Sequence, residues 1–111
     1  MFKAPKNNER FFWTGHALGK MQYYGLTAQR ILRVINRPAR VEEGVAENTT
    51  AAMQPASVNR KSGKWSSEIW VMYQLAEKKY KIISAWRYPG ISPKRNAIPA
   101  EIMDEVKDLL G

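Results

Sequence analysis

The chain has 111 residues, no cysteine, one histidine and 18 Lys+Arg against 10 Asp+Glu, for a net charge of +8, with 44% hydrophobic and 25% charged residues. That length and composition suit one folded domain over residues 1–111 with an ordinary hydrophobic core, and argue against a wholly disordered chain. They exclude a disulfide scaffold and a thiolate zinc site.

Residues 1–9 are expected to fray. Arg10-Phe11-Phe12-Trp13 reads as a short strand or an apolar lead-in. Thr14 then makes an N-cap for a helix through about Tyr24, with Ala17, Met21 and Tyr24 on one face and Gly25 as its stop. Thr27 caps a second helix, Ala28 to Asn36, ended by Pro38. Its apolar surface is Leu26, Ile31, Leu32, Val34 and Ile35, while Arg30, Arg33 and Arg37 recur at spacings of three and four as a basic stripe. The short connection predicts a helical hairpin.

After Pro38 the pattern turns strand-like. Ala39 to Glu43 and Thr49 to Gln54 are short candidates around a turn at Gly44, and 58–64 reads as a polar hairpin loop. Trp65 to Leu75 alternates Ile69, Val71 and Tyr73 with Glu68, Trp70 and Met72. A charged turn, Glu77-Lys78-Lys79, leads to Tyr80 to Tyr88, whose apolar middle predicts a central strand buried on both faces. Residues 91–97 form a basic loop with Pro93, Lys94 and Arg95. Residues 98–111 then read as a C-terminal helix with Pro99 in its first turn, acids early, and Ile98, Ile102, Val106 and Leu109 as a stripe that docks on the sheet or on a partner. The expected fold is α+β: an N-terminal helical hairpin on an antiparallel sheet of about four strands, with a C-terminal helix.

The charge is unevenly distributed. Residues 98–111 hold four acids and one base, so the first 97 residues carry 17 bases against six acids, a net +11. Such a body attracts polyanions, and RNA or another nucleic acid is the expected partner. No apolar run is long enough to span a bilayer and the start has no signal-like segment, so a cytoplasmic protein without a membrane partner is expected. P-loop, dinucleotide fingerprint, zinc spacing and Ser-His-Asp order are all missing, so no metal or cofactor is expected.

His16-Ala17-Leu18-Gly19-Lys20-Met21, followed by Tyr24-Gly25-Leu26-Thr27 and Arg30-Ile31-Leu32-Arg33-Val34-Ile35, resembles small bacterial and phage domains. These have a His-Ala-x-x-(Arg/Lys)-Met start, a Gly-(Leu/Ile)-(Ser/Thr) turn and a second helix ending near a proline. Trp70-Val71-Met72-Tyr73 and Lys81-Ile82-Ile83-Ser84-Ala85-Trp86-Arg87 look like the paired strands of that group and, more distantly, of BrnT-like toxins, whose last strand often reads Ile-Ile-Ser-Ala-Arg. The resemblance covers roughly residues 12–90. It implies the barnase/RelE-like ribonuclease fold, with helices on a curved antiparallel sheet, and a toxin-like role with an antitoxin-like protein partner. Two departures stand out: the loop at 58–64 is longer than usual, and Trp86 displaces Arg87 by one residue, a shift that moves a strand side chain to the opposite face.

Metal-independent RNA cleavage needs a base for the 2′-hydroxyl, cations for the phosphorane-like transition state and an acid for the leaving oxygen. His16 and Lys20 share a helix face and suit acid–base and phosphate-holding roles; packing at the helix start is the other reading of His16. Arg87 is placed to clamp the scissile phosphate, with Tyr73 or Tyr88 to stack on a base or donate a proton. The alternative pairs Arg87 with Glu68 and packs Tyr88. Arg30, Arg33, Arg37 and Arg40, with Lys94 and Arg95 in the loop, read as phosphate contacts or as a solvated face. Of the tryptophans and tyrosines, at least half are expected in the core. The function expected is RNA binding with metal-independent endoribonuclease activity; the alternative is a non-catalytic nucleic-acid-binding or protein-interaction module.

Overall fold

The computed structural model describes residues 2–45, 48–94 and 98–110. In chain order the elements are β1 (Phe11–Trp13), α1 (Gly15–Tyr24), α2 (Ala28–Asn36), β2 (Arg40–Glu43), β3 (Thr49–Pro55), β4 (Ser67–Ala76), β5 (Lys79–Pro89) and α3 (Ala100–Leu110). Among the described residues, no helix is long and apolar enough to cross a membrane.

The helix signals read from sequence have direct counterparts. Thr14 caps α1 by accepting from the Ala17 N–H at 3.1 Å, and Thr27 caps α2 by accepting from the Arg30 N–H at 3.1 Å. Gly25 ends α1 at φ 68, with the Leu26 N–H returning to Met21 O at 2.8 Å. This is the left-handed glycine stop that brings Leu26 down onto Met21 in the core.

The sheet differs from the expectation. It has five strands in the order β1-β5-β4-β3-β2, and it is mixed. The last four strands form an antiparallel meander, while β1 pairs with β5 in parallel, Phe11 to Trp13 against Tyr80 to Ile82. Three residues suffice for a strand there because β5 offers an unpaired edge. The helices pack on the sheet, as expected, but their arrangement differs from an N-terminal hairpin. A strand precedes them, and both lie on one sheet face, α1 along β5 and α2 across β3 and β4. Burial against the sheet, rather than of one helix against the other, decides their placement.

Ahead of β1, two asparagine side chains bond to the backbone. The Asn8 carboxamide accepts from the N–H groups of Arg10 and Phe11, Asn7 accepts from Trp13 at 2.7 Å, and Phe2 packs on the core.

Strand alternation splits the core in two. Ala52, Ile69, Val71, Ile82 and Ala85 meet Ala17, Met21, Ile31 and Val34 of α1 and α2. On the other face Ala51, Met53, Trp70, Met72, Ile83 and Trp86 meet Ile102 and Val106 of α3. The result is helix, sheet, helix. Trp13, Trp70 and Trp86 are buried, and Trp70 stacks on Trp86 across the strands with ring planes 2° apart and centroids at 5.8 Å.

A bulge in β5 sets which side chains go where. Tyr73 pairs with Ile82 and Met72 with Ser84, so Ile83 is an extra residue and both Ile83 and Ser84 lie opposite Met72 on the α3 face. The bulge resets the parity of everything after it. Arg87 pairs with Ile69 and faces α1, whereas Tyr88 pairs with Glu68 and faces the opposite way.

Candidate functional site

Two arrangements of polar side chains stand out. The first is a cleft where α1 meets α3. The i, i+4 spacing of His16 and Lys20 puts both on the α1 flank that faces α3, where Glu105 lies. Lys20 Nζ is 2.9 Å from Glu105 Oε2 and donates to Oε1 at 3.1 Å, and His16 Nε2 is 3.5 Å from Oε2. His16 Nε2 also lies 3.2 Å from Ser84 Oγ, which the bulge turns toward it. The cleft has a volume of about 660 Å³, and Tyr23, Asp108 and Leu109 complete its walls with Gly19. Burial lowers the His16 pKa; the Glu105 carboxylate opposes that effect and the Lys20 ammonium adds to it. The net effect favours the neutral ring, which is able to take up a proton.

Ser84, His16 and Glu105 do not form a nucleophile relay. A relay needs the hydroxyl and the carboxylate on opposite ring nitrogens, and here both approach Nε2. Among the described residues, no group of three or more histidine and carboxylate side chains is arranged to hold a metal ion.

The second arrangement is a rim of arginines at one end of the sheet, where β3 and β5 finish and β4 begins. Arg30 Nη2 donates to Pro55 O at 2.9 Å, and the Gln54 carboxamide donates to the carbonyls of Arg33 and Arg37 at 3.1 and 2.8 Å, which lays the α2 stripe along that rim. Arg87 Nε donates to Tyr24 O at 2.9 Å, satisfying a carbonyl at the negative end of α1. Burial, then the charges of Arg33 and Arg87, lowers the Arg30 pKa, because three guanidinium groups stand close together. Among the described residues the ion pairs are Lys20–Glu105 and Arg40–Glu42, with the His16 ring also 3.5 Å from Glu105, so Arg30, Arg33, Arg37 and Arg87 have no carboxylate of the described residues within 4.0 Å. Arg60, Lys61 and Lys64, in the exposed loop joining β3 to β4, and exposed Lys94 after β5 lie at the same end.

The five residues read as catalytic do not converge. His16 and Lys20 share the cleft. Arg87 is on the rim, on the sheet face that carries α1 and α2. Tyr73 packs beside Tyr80 with ring centroids 5.4 Å apart, and burial, then Tyr80, raises its pKa. Tyr88 lies on the α3 face opposite Glu68. Of the residues read as phosphate contacts, Arg40 is engaged within the fold. It donates to Glu42 at 2.7 Å, to Ser92 O and Oγ at 3.1 and 3.0 Å and to Pro93 O, and its guanidinium sits 5.4 Å from the Trp70 ring centroid. Arg95 lies outside the described residues.

Pairing of Arg87 with Glu68 is also absent, since the two face opposite sides of the sheet. Glu68 is wholly buried and accepts from Trp65 Nε1 at 2.9 Å, Trp70 Nε1 at 3.0 Å, Ser92 Oγ at 2.5 Å and Ser92 N at 3.3 Å. Burial pushes its pKa up, but the hydrogen bonds from Ser92, Trp65 and Trp70 outweigh that and hold the carboxyl below the usual range. Glu105 and Ser84 were not legible as site residues. Glu105 reads from sequence as one of several acids suited to the start of a helix, and Ser84 as a small residue inside an apolar strand. Comparison of the chain with family models, with curated proteins and with solved structures finds no match.

Proposed function

We propose that the protein binds RNA along its arginine rim and cleaves it without a metal in the cleft between α1 and α3. The observation that carries this reading is the rim itself: Arg30, Arg33, Arg37 and Arg87 gather at one end of the sheet with no carboxylate of the described residues within 4.0 Å. Clustered guanidinium groups whose charge no carboxylate neutralises suit a phosphate backbone, and they supply affinity without reading bases. His16, Lys20 and Tyr24 follow one another at intervals of four along α1, and Arg87 holds the Tyr24 carbonyl, so a strand on the rim has a continuous path down to the cleft. There the neutral His16 takes the proton of a 2′-hydroxyl whose oxygen attacks the adjacent phosphorus, Lys20 offsets charge developing on the phosphate, and the P–O5′ bond breaks as the leaving 5′-oxygen takes a proton from solvent water. The resemblance of residues 12–90 to small bacterial and phage domains, and more distantly of the paired strands to BrnT-like toxins, supports the same reading and implies an antitoxin-like partner.

A non-catalytic RNA-binding module is the second reading. It is favoured by the separation of Arg87, Tyr73 and Tyr88 from His16, which leaves the residues read as catalytic spread over three places. Incubating folded protein with single-stranded and structured RNA in EDTA separates the two. Cleavage that His16→Ala abolishes, with RNA affinity retained, is the expected result. Intact RNA that is bound with a steep salt dependence leaves the binding module, and absence of RNA binding removes both readings.

A further inference from the structure

The acidic charge of the chain is concentrated on α3, and α3 uses two of its sides at once. Ile102 and Val106 are buried against the sheet. On the flank toward α1 stand Glu101, Glu105 and Asp108, at spacings of four and three. Glu105 pairs with Lys20 and His16, Asp108 lines the cleft beside it, and the charges of Glu101 and Glu105 both reach the Tyr24 hydroxyl. Successive carboxylates one helical turn apart are separated by roughly 5–6 Å. Such a row, with Glu105 set against the Lys20 ammonium, has the charge spacing of a short run of phosphates.

The contact is also open to exchange. The side chains of Glu105, Lys20 and His16 are 38%, 21% and 18% exposed, so water reaches the flank of the contact from the cleft, while Glu105 Oε2 itself is buried. Ion pairs of that kind are weak and salt-sensitive. The Arg40 pair differs, being held through Ser92 against the buried Glu68.

We propose that α3 is an internal mimic of nucleic-acid phosphates. In the free protein its carboxylates occupy His16 and Lys20; an RNA strand entering the cleft displaces Glu105 and loosens α3 from the sheet. This rests on the RNA reading above and adds that the cleft is self-inhibited. A phosphate group and the Glu105 carboxylate cannot both take the Lys20 ammonium, so the two compete for it. Glu105 then acts as a gate, and removing its charge raises RNA affinity and cleavage.

The test uses the full chain as wild type, Glu105→Gln and Asp104→Asn. Asp104 sits on the exposed side of α3 away from the cleft lining, so its variant controls for the change in net charge. Hydrogen exchange over Ala100–Leu110 and binding are measured with a single-stranded RNA oligonucleotide and, separately, with inorganic polyphosphate. Expected are faster α3 exchange in free Glu105→Gln than in wild type, faster α3 exchange on adding either polyanion to wild type, and binding about three- to ten-fold tighter for Glu105→Gln against less than about two-fold for Asp104→Asn.

Slower or unchanged α3 exchange on polyanion binding overturns the proposal. So does equal tightening by both variants, or loss of cleavage in Glu105→Gln, which makes Glu105 a general base instead. If polyphosphate binds and loosens α3 while RNA does not bind, the mimic stands and the RNA reading fails. If RNA binds all three proteins alike with α3 undisturbed, the mimic fails and the RNA reading stands. If neither polyanion binds, both fail.

Discussion

Glu68 and Arg87 stand one residue from cross-strand register on β4 and β5, yet their side chains have opposite fates. Glu68 is buried with four hydrogen bonds arriving at its carboxylate, two of them from indole N–H groups that have nowhere else to go. Replacing it with Gln leaves donors facing donors, and Glu68→Gln is expected to lose about 2 kcal/mol of stability in urea denaturation. Because the native pKa of Glu68 is held below its unfolded value, its contribution is complete above the ordinary carboxylate range. It is lost as pH falls through that range to the depressed native value, so wild type should show an acid-dependent loss below about pH 5 that is smaller in Glu68→Gln. Arg87, by contrast, is exposed and bonded to a helix-end carbonyl. Arg87→Ala should fold and lose only about 1 kcal/mol; global unfolding would contradict its placement on the rim. The chain alone allowed Arg87 and Glu68 to pair, because strict alternation is the default and nothing in Ile82-Ile83-Ser84 announces a bulge.

At the scale of elements, local chemistry and tertiary packing had separate shares. Both helix starts, the glycine stop at Gly25 and the proline stop after α2 follow from capping and from the φ limits of two residue types, which act within a few residues. The β4–β5 connection was legible as a charged turn, but its geometry is costly. Glu77 and Lys78 occupy φ 51 and φ 69 in a two-residue turn where Asn-Gly is preferred. Replacing Glu77-Lys78 with Asn-Gly should raise stability by about 1 kcal/mol, visible as a melting temperature a few degrees higher, provided strand register is kept. A lower melting temperature would mean that the two charges do something else. Strand β1 could be read only as one of two options, since three residues carry no periodicity of their own and pair solely because β5 leaves an edge beside them.

For the whole molecule, the decisive feature is where the topology puts charge. Antiparallel return of the meander brings the end of β3, the start of β4 and the end of β5 together, and α2 crosses at that end. Charge removal at Arg30, Arg33 and Arg37 together should weaken RNA binding and flatten its dependence on log salt by about three units at most. Unchanged affinity would shift the interface to Arg60, Lys61, Lys64 and Lys94. His16 should give cleavage an acid limb below the usual histidine range in kcat/KM, because burial holds its pKa down in the free protein. A limb at or above that range would place the acid–base group elsewhere.

The sequence by itself determined the α+β class, the caps and stops of α1 and α2, and the strand segments β2 to β5. It also determined the imbalance between a basic body and an acidic last helix. These rest on interactions among neighbours or on composition, and they survive without knowledge of the fold. Only the tertiary structure decided that α3 lies on the sheet face opposite α1 and α2, that Glu105 meets His16 and Lys20 at least 85 positions away, that Arg40 is engaged within the fold, and that Arg87 joins the α2 arginines. Each of these depends on a long-range contact or on one extra residue in β5, and neither is encoded in local periodicity.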